Sequence, residues 1–204
     1  MVARRVALLS KAAGFKVLGF VDDRPEMRGS IVEGVEVIGS VESLLREQGG
    51  KGIHFHCAIG RNSIRRAISQ RLETAGFYPA TLIDPSAVVA ESAMIAGGCY
   101  IAPLAFVGPQ ARLGKHVMVN VGVSIGHHSL TGDYTQFCPG ARISGDVQIG
   151  DEAFIGSGAV VAPGVKLGAR AVLSASSFAN RDIADGAVGV GVPAKILAAI
   201  PKKP

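Results

Sequence analysis

From residue 83 to residue 178 the hydrophobic pattern repeats every six residues, for sixteen hexads without an insertion. The first slot of each hexad, from Ile83 to Leu173, is Ile, Val, Leu or Phe, with one exception at Thr131. The second slot is nearly always small, and the fifth is Ala, Val, Ser, Thr or Cys. A repeat this strict is the mark of a solenoid. Each hexad supplies one short strand and one tight turn, a face of about 15–17 Å. Three such faces close a triangular coil of eighteen residues. Slot one points inward and stacks on its equivalents one coil away, while slots two and five stay small where the corners are tight. At about 4.8 Å per coil, slightly more than five coils make a prism roughly 25 Å tall. A sandwich would show irregular spacing and hairpin turns instead.

The stretch before the repeat has a different rhythm. Residues 3–13 predict a helix ended by Gly14. Lys16 to Phe20 predicts a strand running into Val21, Asp22 and Asp23. The VEVIGS segment at 35–40 reads as a turn before a short helix from Val41 to Gln48. Gly52 to Ile59 reads as a second buried strand, and Ser63 to Ala75 as a helix with Asn62 as N-cap. This βα alternation predicts a small parallel sheet. Phe77 to Leu82 crosses into the prism, and Ala194 to Ile200 predicts a terminal helix capping the last coil. The fold class is therefore an α/β N-terminal domain, residues 1–78, followed by a parallel β-helix, residues 79–204.

Composition narrows the partners. Twenty-seven glycines and 5% aromatic residues suit a solenoid packed by small and β-branched side chains. Cys57, Cys99 and Cys138 lie far apart without CxxC spacing, which points to core packing in a reducing, cytoplasmic setting. The start, MVARRVALLSKAAG, has basic residues before an apolar patch that Lys11 cuts too short for a signal peptide, and no apolar run long enough for membrane insertion follows. A net charge of +5 suits an acidic ligand such as CoA or a nucleotide. The charges are dispersed, which argues against nucleic acid.

GFVDD at 19–23, the Gly60-Arg61-Asn62 turn, Ile125-Gly126-His127 and GVPAK at 191–195 stand in that order around the hexads. Together they resemble the NeuD/PglD-type sugar acetyltransferases of the hexapeptide-repeat, left-handed β-helix acyltransferase superfamily. The resemblance, not the periodicity, implies the left hand. It also implies acetyl-CoA as co-substrate, a sugar or nucleotide-sugar acceptor, and a homotrimer with its active site between subunits. N-acetylation of a UDP- or other nucleotide-linked 4-amino-sugar for cell-surface glycans is the first expectation, and O-acetylation of sialic acid or another sugar is the alternative. A non-catalytic β-helix assembly subunit is the alternative of another class. In the family a strand and a glycine-rich phosphate loop precede the first helix. Here the chain opens inside that helix, so either its start is placed too late or part of the nucleotide-sugar site is lost, and a truncated Rossmann-like sheet is expected.

Acetyl transfer needs a base, an oxyanion donor and a groove for pantetheine. His127 fits the base: histidine titrates near neutrality, and its turn slot points outward. It also coincides with the family's base. His128 stands where the family carries Asp or Glu, and an imidazole cannot supply a fixed negative charge. Asp146, eighteen residues beyond His128, is expected one coil above and is the candidate substitute. Gly145 aligns with a glycine whose N–H faces the acetyl carbonyl, a contact typically worth about 3–4 kcal/mol in the transition state. Gln136 replaces a histidine found in many members, and Asn120 matches a polar position near the site. Asp22, Asp23, Arg61 and Asn62 are the remaining acceptor-binding candidates. The resemblance places Gly156, Ala162, Gly191, Pro193 and Lys195 against CoA, with Arg181, Lys202 and Lys203 near its phosphates. No metal is expected, because His116, His127 and His128 lack the spacing of the γ-class carbonic anhydrase zinc site.

Overall fold

The computed structural model describes residues 9, 14–47, 49–50 and 52–197. Of the predicted helix over 3–13 only Leu9 is described, and it is helical; the rest of that span and the tail lysines Lys202 and Lys203 lie outside the described residues.

The hexads form the expected parallel β-helix. Strands β6 (Leu82–Ile83) to β22 (Phe178–Ala179) have two residues each and recur once per hexad. From β6 to β19 each pairs in parallel with the strand eighteen residues on, as in Phe106↔Ser124 and Ser124↔Arg142, while β21 pairs with a strand sixteen residues on. The result is three stacks. Face one carries β6 and every third strand after it, face two carries β7 (Val88–Val89) and its equivalents, and face three carries β8 (Met94–Ile95) and its equivalents. The slot-one side chains of Ile101, Val107, Val119, Ile125, Phe137, Ile155, Val161 and Leu173 are wholly buried in one continuous core. Ile83 departs from the rule and is exposed, because it opens the first coil with nothing beneath it. Slot two is small because the next coil lies directly above it. A Cβ on Gly126 would come within 2.5 Å of the Ser144 carbonyl carbon.

The fourth slot carries a regularity invisible in the residue types. From Gly98 to Ser176 all fourteen fourth-slot residues have positive φ, between 54° and 79°. This is the third residue of a turn that needs a left-handed conformation, usually glycine. Here the position also holds His116, His128, Tyr134, Asp146 and Glu152. Their N–H groups donate one coil down, as Asp146 does to the His127 carbonyl at 2.9 Å.

The N-terminal part contains β1 (Phe20–Val21), β2 (Ile31–Val32), β3 (Val35–Gly39), helix α1 (Val41–Glu47), β4 (His54–Phe55), helix α2 (Asn62–Thr74) and β5 (Tyr78–Pro79). The expected strands are shorter than read: Lys16–Phe20 reduces to β1 and Gly52–Ile59 to β4. The sheet is mixed, with β1 parallel and β2 antiparallel to β3, while β4 and β5 form a separate parallel pair. VEVIGS is a strand rather than a turn. Val35, Val37 and Gly39 alternate inward, and the turn lies earlier, at Glu33 and Gly34, both at positive φ. Helix α1 starts at Ser40, whose Oγ accepts the Ser43 N–H at 3.1 Å.

Helix α2 matches its predicted span to within a residue, but Asn62 is inside it and does not cap it. Its Nδ2 instead donates to the Glu152 and Ala153 carbonyls at 2.9 and 3.1 Å. The predicted terminal helix is also absent where it is described. Lys195–Leu197 is strand β24, antiparallel to β23 (Val188–Val190). The turn at Gly191 (φ 99°) and Pro193 folds the chain back onto the sheet edge, which offers β24 a ladder that an isolated short helix would lack.

His56 gives the fold a pH dependence. Its Nδ1–H donates to the Ala80 carbonyl at 3.0 Å. Burial pulls the imidazole down to about 4. The unfolded chain binds this proton near pH 6.5 and the folded chain near 4, so the unfolded state holds more protons in between. Stability is complete above about pH 6.5 and falls as pH drops towards 4. Burial moves His116 in the same direction. Denaturant midpoints measured from pH 7 to 4.5 should fall, and a His56→Gln variant should show a shallower fall.

Candidate active site

His127 and His128 occupy the corner between faces two and three, after β13 (Ser124–Ile125). Both are exposed. The two rings meet edge-on, with Nδ1 to Nδ1 at 3.0 Å and a ring-centroid separation of 5.2 Å. Asp146, one coil above His128, brings its Oδ2 to 3.9 Å from His127 Nδ1. The carboxylate anticipated one coil up from the eighteen-residue spacing is therefore beside His127, at ion-pair rather than hydrogen-bond distance.

Gly145 lies one coil above His127. A Cβ there would fall 2.4 Å from both Cε1 and Nε2 of His127. The missing side chain is what lets the ring lie across the corner. With Nδ1 engaged by His128 and facing Asp146, Nε2 is the nitrogen left to take a proton. In the tautomer that leaves Nε2 of His127 free to accept a proton, its Nδ1–H donates to His128 Nδ1.

The other candidates divide between three places. Ala162 shares the His127 corner, two coils up. Asn120, Gly156 and the Gly191–Lys195 hairpin lie at the opposite edge of face two. There Asn120 Nδ2 donates to the Phe137 carbonyl at 2.7 Å, and Gly156 packs backbone to backbone against Ala175. The Gly191 loop is pinned by its N–H to Ser177 Oγ at 2.9 Å, and Pro193, Lys195 and Arg181 are exposed. Gln136 is on face one, where its carboxamide faces Gly60, and Arg61 is exposed beside it. One chain thus does not bring His127 together with Asn120, Gln136 or the hairpin.

Asp22 and Asp23 end β1 as expected, but both are engaged. Asp22 accepts from the Arg24 N–H and guanidinium at 2.8–3.0 Å, and these bonds hold it down at about 2. Asp23 Oδ1 accepts the Val41 N–H at 2.9 Å. A surface groove of about 710 Å³ on the upper part of face three contains none of the candidates. Its acids Asp182 and Asp185 are spent on the Lys166 and Ala169 N–H groups.

Sequence reasoning missed Arg65, which is 1% exposed. Its guanidinium donates to the carbonyls of Ile59, His116 and Tyr134 and to Asn62 Oδ1, at 2.6–3.1 Å. Beneath it the His116 ring, bonded to Glu73 at 2.6 Å, stacks on Tyr134 at 5.1 Å. A charged helix residue carries no sequence signal that it will be buried against another domain.

A stacked triangular coil with an exposed histidine over a glycine defines a hexapeptide-repeat acyltransferase. Residues 146–178 match the family model described as bacterial transferase hexapeptide (six repeats), and residues 2–72 match the PglD N-terminal domain. The acetyltransferase domain of PglB from Neisseria gonorrhoeae FA1090, solved with acetyl coenzyme A, is 34% identical with a TM-score of 0.87, covering 94% of this chain and 92% of that one. PerB from Caulobacter crescentus, solved with CoA and GDP-perosamine, is 30% identical with a TM-score of 0.89, covering 96% and 92%. The GDP-perosamine N-acetyltransferase of Escherichia coli O157:H7 is 32% identical over 148 residues, 72% of this chain, and the match spans 65% of that relative's length. The chain belongs to the NeuD/PglD-type sugar acetyltransferases. Among the described residues no helix is long and apolar enough to cross a membrane.

Proposed function

We propose that the protein transfers the acetyl group of acetyl-CoA to the amino group of a nucleotide-linked amino-sugar. The observation that carries this is the His127 corner: an exposed imidazole, its Nδ1 turned to His128 and Asp146, lying over a glycine. The relatives solved with acetyl-CoA, CoA and GDP-perosamine support the choice of donor and acceptor class.

In this reading the sugar amine attacks the thioester carbonyl, forming the C–N bond. Nε2 of His127 takes the amine proton, and the tetrahedral intermediate collapses by breaking the C–S bond and releasing CoA. The imidazolium formed on His127 faces the Asp146 carboxylate. At about 4 Å in a water-like medium that attraction is worth about 1 kcal/mol, and more once a neighbouring subunit excludes water. The Gly145 N–H is the candidate oxyanion donor.

The separation of candidates within one chain supports a homotrimer. One subunit's His127 corner would face the next subunit's Asn120, Gly156 and Gly191–Lys195 edge. Val119 and Val123 point into the core and take no part, whereas Val88, Phe106 and Val121 are exposed apolar groups on or beside face two. The test is acetyl-CoA with a panel of nucleotide-linked 4-amino-sugars, followed by thiol release and product mass. We expect turnover with a 4-amino-sugar and none with its 4-hydroxy counterpart. Turnover only on hydroxyl acceptors would replace N- by O-acetylation, and a monomer in sedimentation at micromolar concentration would overturn the shared site.

A further inference from the structure

We propose that His127, His128 and Asp146 form a binding site for a divalent transition metal of the zinc class, and that its occupancy shuts off acetyl transfer. The second half rests on His127 being the base; the first does not.

Two imidazole nitrogens and one carboxylate oxygen are a donor set that zinc, cobalt and nickel favour. One ligand atom from each residue lies within 4.8 Å of the other two. Zinc–nitrogen bonds of about 2.0–2.1 Å in tetrahedral geometry require ligand atoms about 3.3–3.4 Å apart. The two Nδ1 atoms are at 3.0 Å and the Nδ1–Oδ2 pair is at 3.9 Å, on either side of that value. The third pair, His128 to Asp146, lies within 4.8 Å, so rotation of these side chains would draw the three ligand atoms in around an ion. In the single chain the side chains of His127 and Asp146 are 57% and 65% exposed, and in the proposed trimer an ion would enter by the opening that admits the acceptor. The frame is fixed: His128 and Asp146 share the left-handed fourth slot, and the Asp146 N–H bonds the His127 carbonyl. The site exists because a histidine stands at position 128. A carboxylate there would give a base–acid pair instead of two facing nitrogens.

The consequence for the reaction is a matter of one proton. In the base-competent form of His127, Nδ1 carries the proton and Nε2 the lone pair. A metal on Nδ1 needs that lone pair, so the proton moves to Nε2. No proton leaves the ring, but Nε2 can no longer accept one from the amine.

The experiment uses the full, tag-free chain after chelator dialysis, with Co²⁺ as the spectroscopic probe and Zn²⁺ as competitor. We expect one Co²⁺ per chain with the visible absorption of a tetrahedral site, displaced by micromolar Zn²⁺ and not by Mg²⁺, which prefers six oxygen ligands. His128→Asn, whose side chain tolerates the left-handed backbone, should weaken binding more than about ten-fold. Asp146→Asn should do the same. Zn²⁺ should stop acetyl transfer over the range in which it displaces Co²⁺, and a chelator should restore it. Absence of a cobalt spectrum at millimolar metal, or binding unchanged in His128→Asn, would overturn the site. Stoichiometric binding with undiminished turnover would leave the site standing, and would overturn both the shut-off and the assignment of His127 as base.

Discussion

His127→Ala is expected to lower turnover by about 10² to 10⁴-fold, the usual worth of a general base, while acetyl-CoA binding is kept. The ring is exposed and its removal leaves no core cavity, so the melting temperature should not move. Gly145→Ala provides the sharper form of the same experiment. The added Cβ would lie 2.4 Å from Cε1 and Nε2 of His127, and an exposed ring can yield where a backbone could not. We expect a folded protein with a displaced imidazole and a turnover loss approaching that of His127→Ala. The measurements are kcat by thiol release, acetyl-CoA affinity by calorimetry and stability by thermal denaturation, on both variants. Full turnover in His127→Ala would assign proton removal to another group. Full turnover in Gly145→Ala would mean that the ring position over Gly145 is not the reactive one.

The prism was legible because its period is set by sterics. Slot one must fill the core, and slots two and five must leave room at a corner, so residue type reports position directly. The eighteen-residue coil then placed Asp146 over His128 by counting alone, whereas Gly145 was singled out by the family resemblance. The fourth-slot turns were not legible. They hold Leu104, Gln110 and Arg170 in a conformation that residue type would assign to glycine, and only the stacking of coils enforces it. The N-terminal part was read less well for the same reason. Its strands are two to five residues long, and neighbours distant in sequence decide where they stop. Asn62 looked like a cap because it precedes a helix, yet its amide reaches carbonyls ninety residues away. The segment after Val190 looked helical by composition, and the exposed ladder of β23 outweighed that preference.

Arg65→Met is expected to destabilise the protein by about 3–5 kcal/mol, since each buried acceptor stripped of its donor costs about 1–3 kcal/mol. Burial pulls the guanidinium down to about 10, so it remains charged at neutral pH, and four acceptors surround it. Two of them, the His116 and Tyr134 carbonyls, belong to the prism, while Ile59 and Asn62 belong to the N-terminal part. The side chain therefore stitches one to the other. Methionine keeps much of the volume but none of the five donors. Lysine would restore the charge yet, as a compact ammonium, would not span acceptors arranged around a planar fork, so Arg65→Lys should recover only part of the loss. Arg66 is the internal comparison, one residue on in the same helix. Its pair with Glu152 at 2.7 Å joins a half-exposed guanidinium to a mostly covered carboxylate, so the arginine stays hydrated when the pair is lost. Denaturant unfolding of Arg65→Met, Arg65→Lys and Arg66→Met, with hydrogen exchange along residues 62–74, separates the cases. The expected order of loss is Arg65→Met, then Arg65→Lys, then Arg66→Met, with the first accompanied by faster exchange throughout α2. If Arg65→Met destabilised no more than Arg66→Met, the helix would be held to the prism by the Asn62 bonds to the Glu152 and Ala153 carbonyls and by the Glu73–His116 pair rather than by this guanidinium.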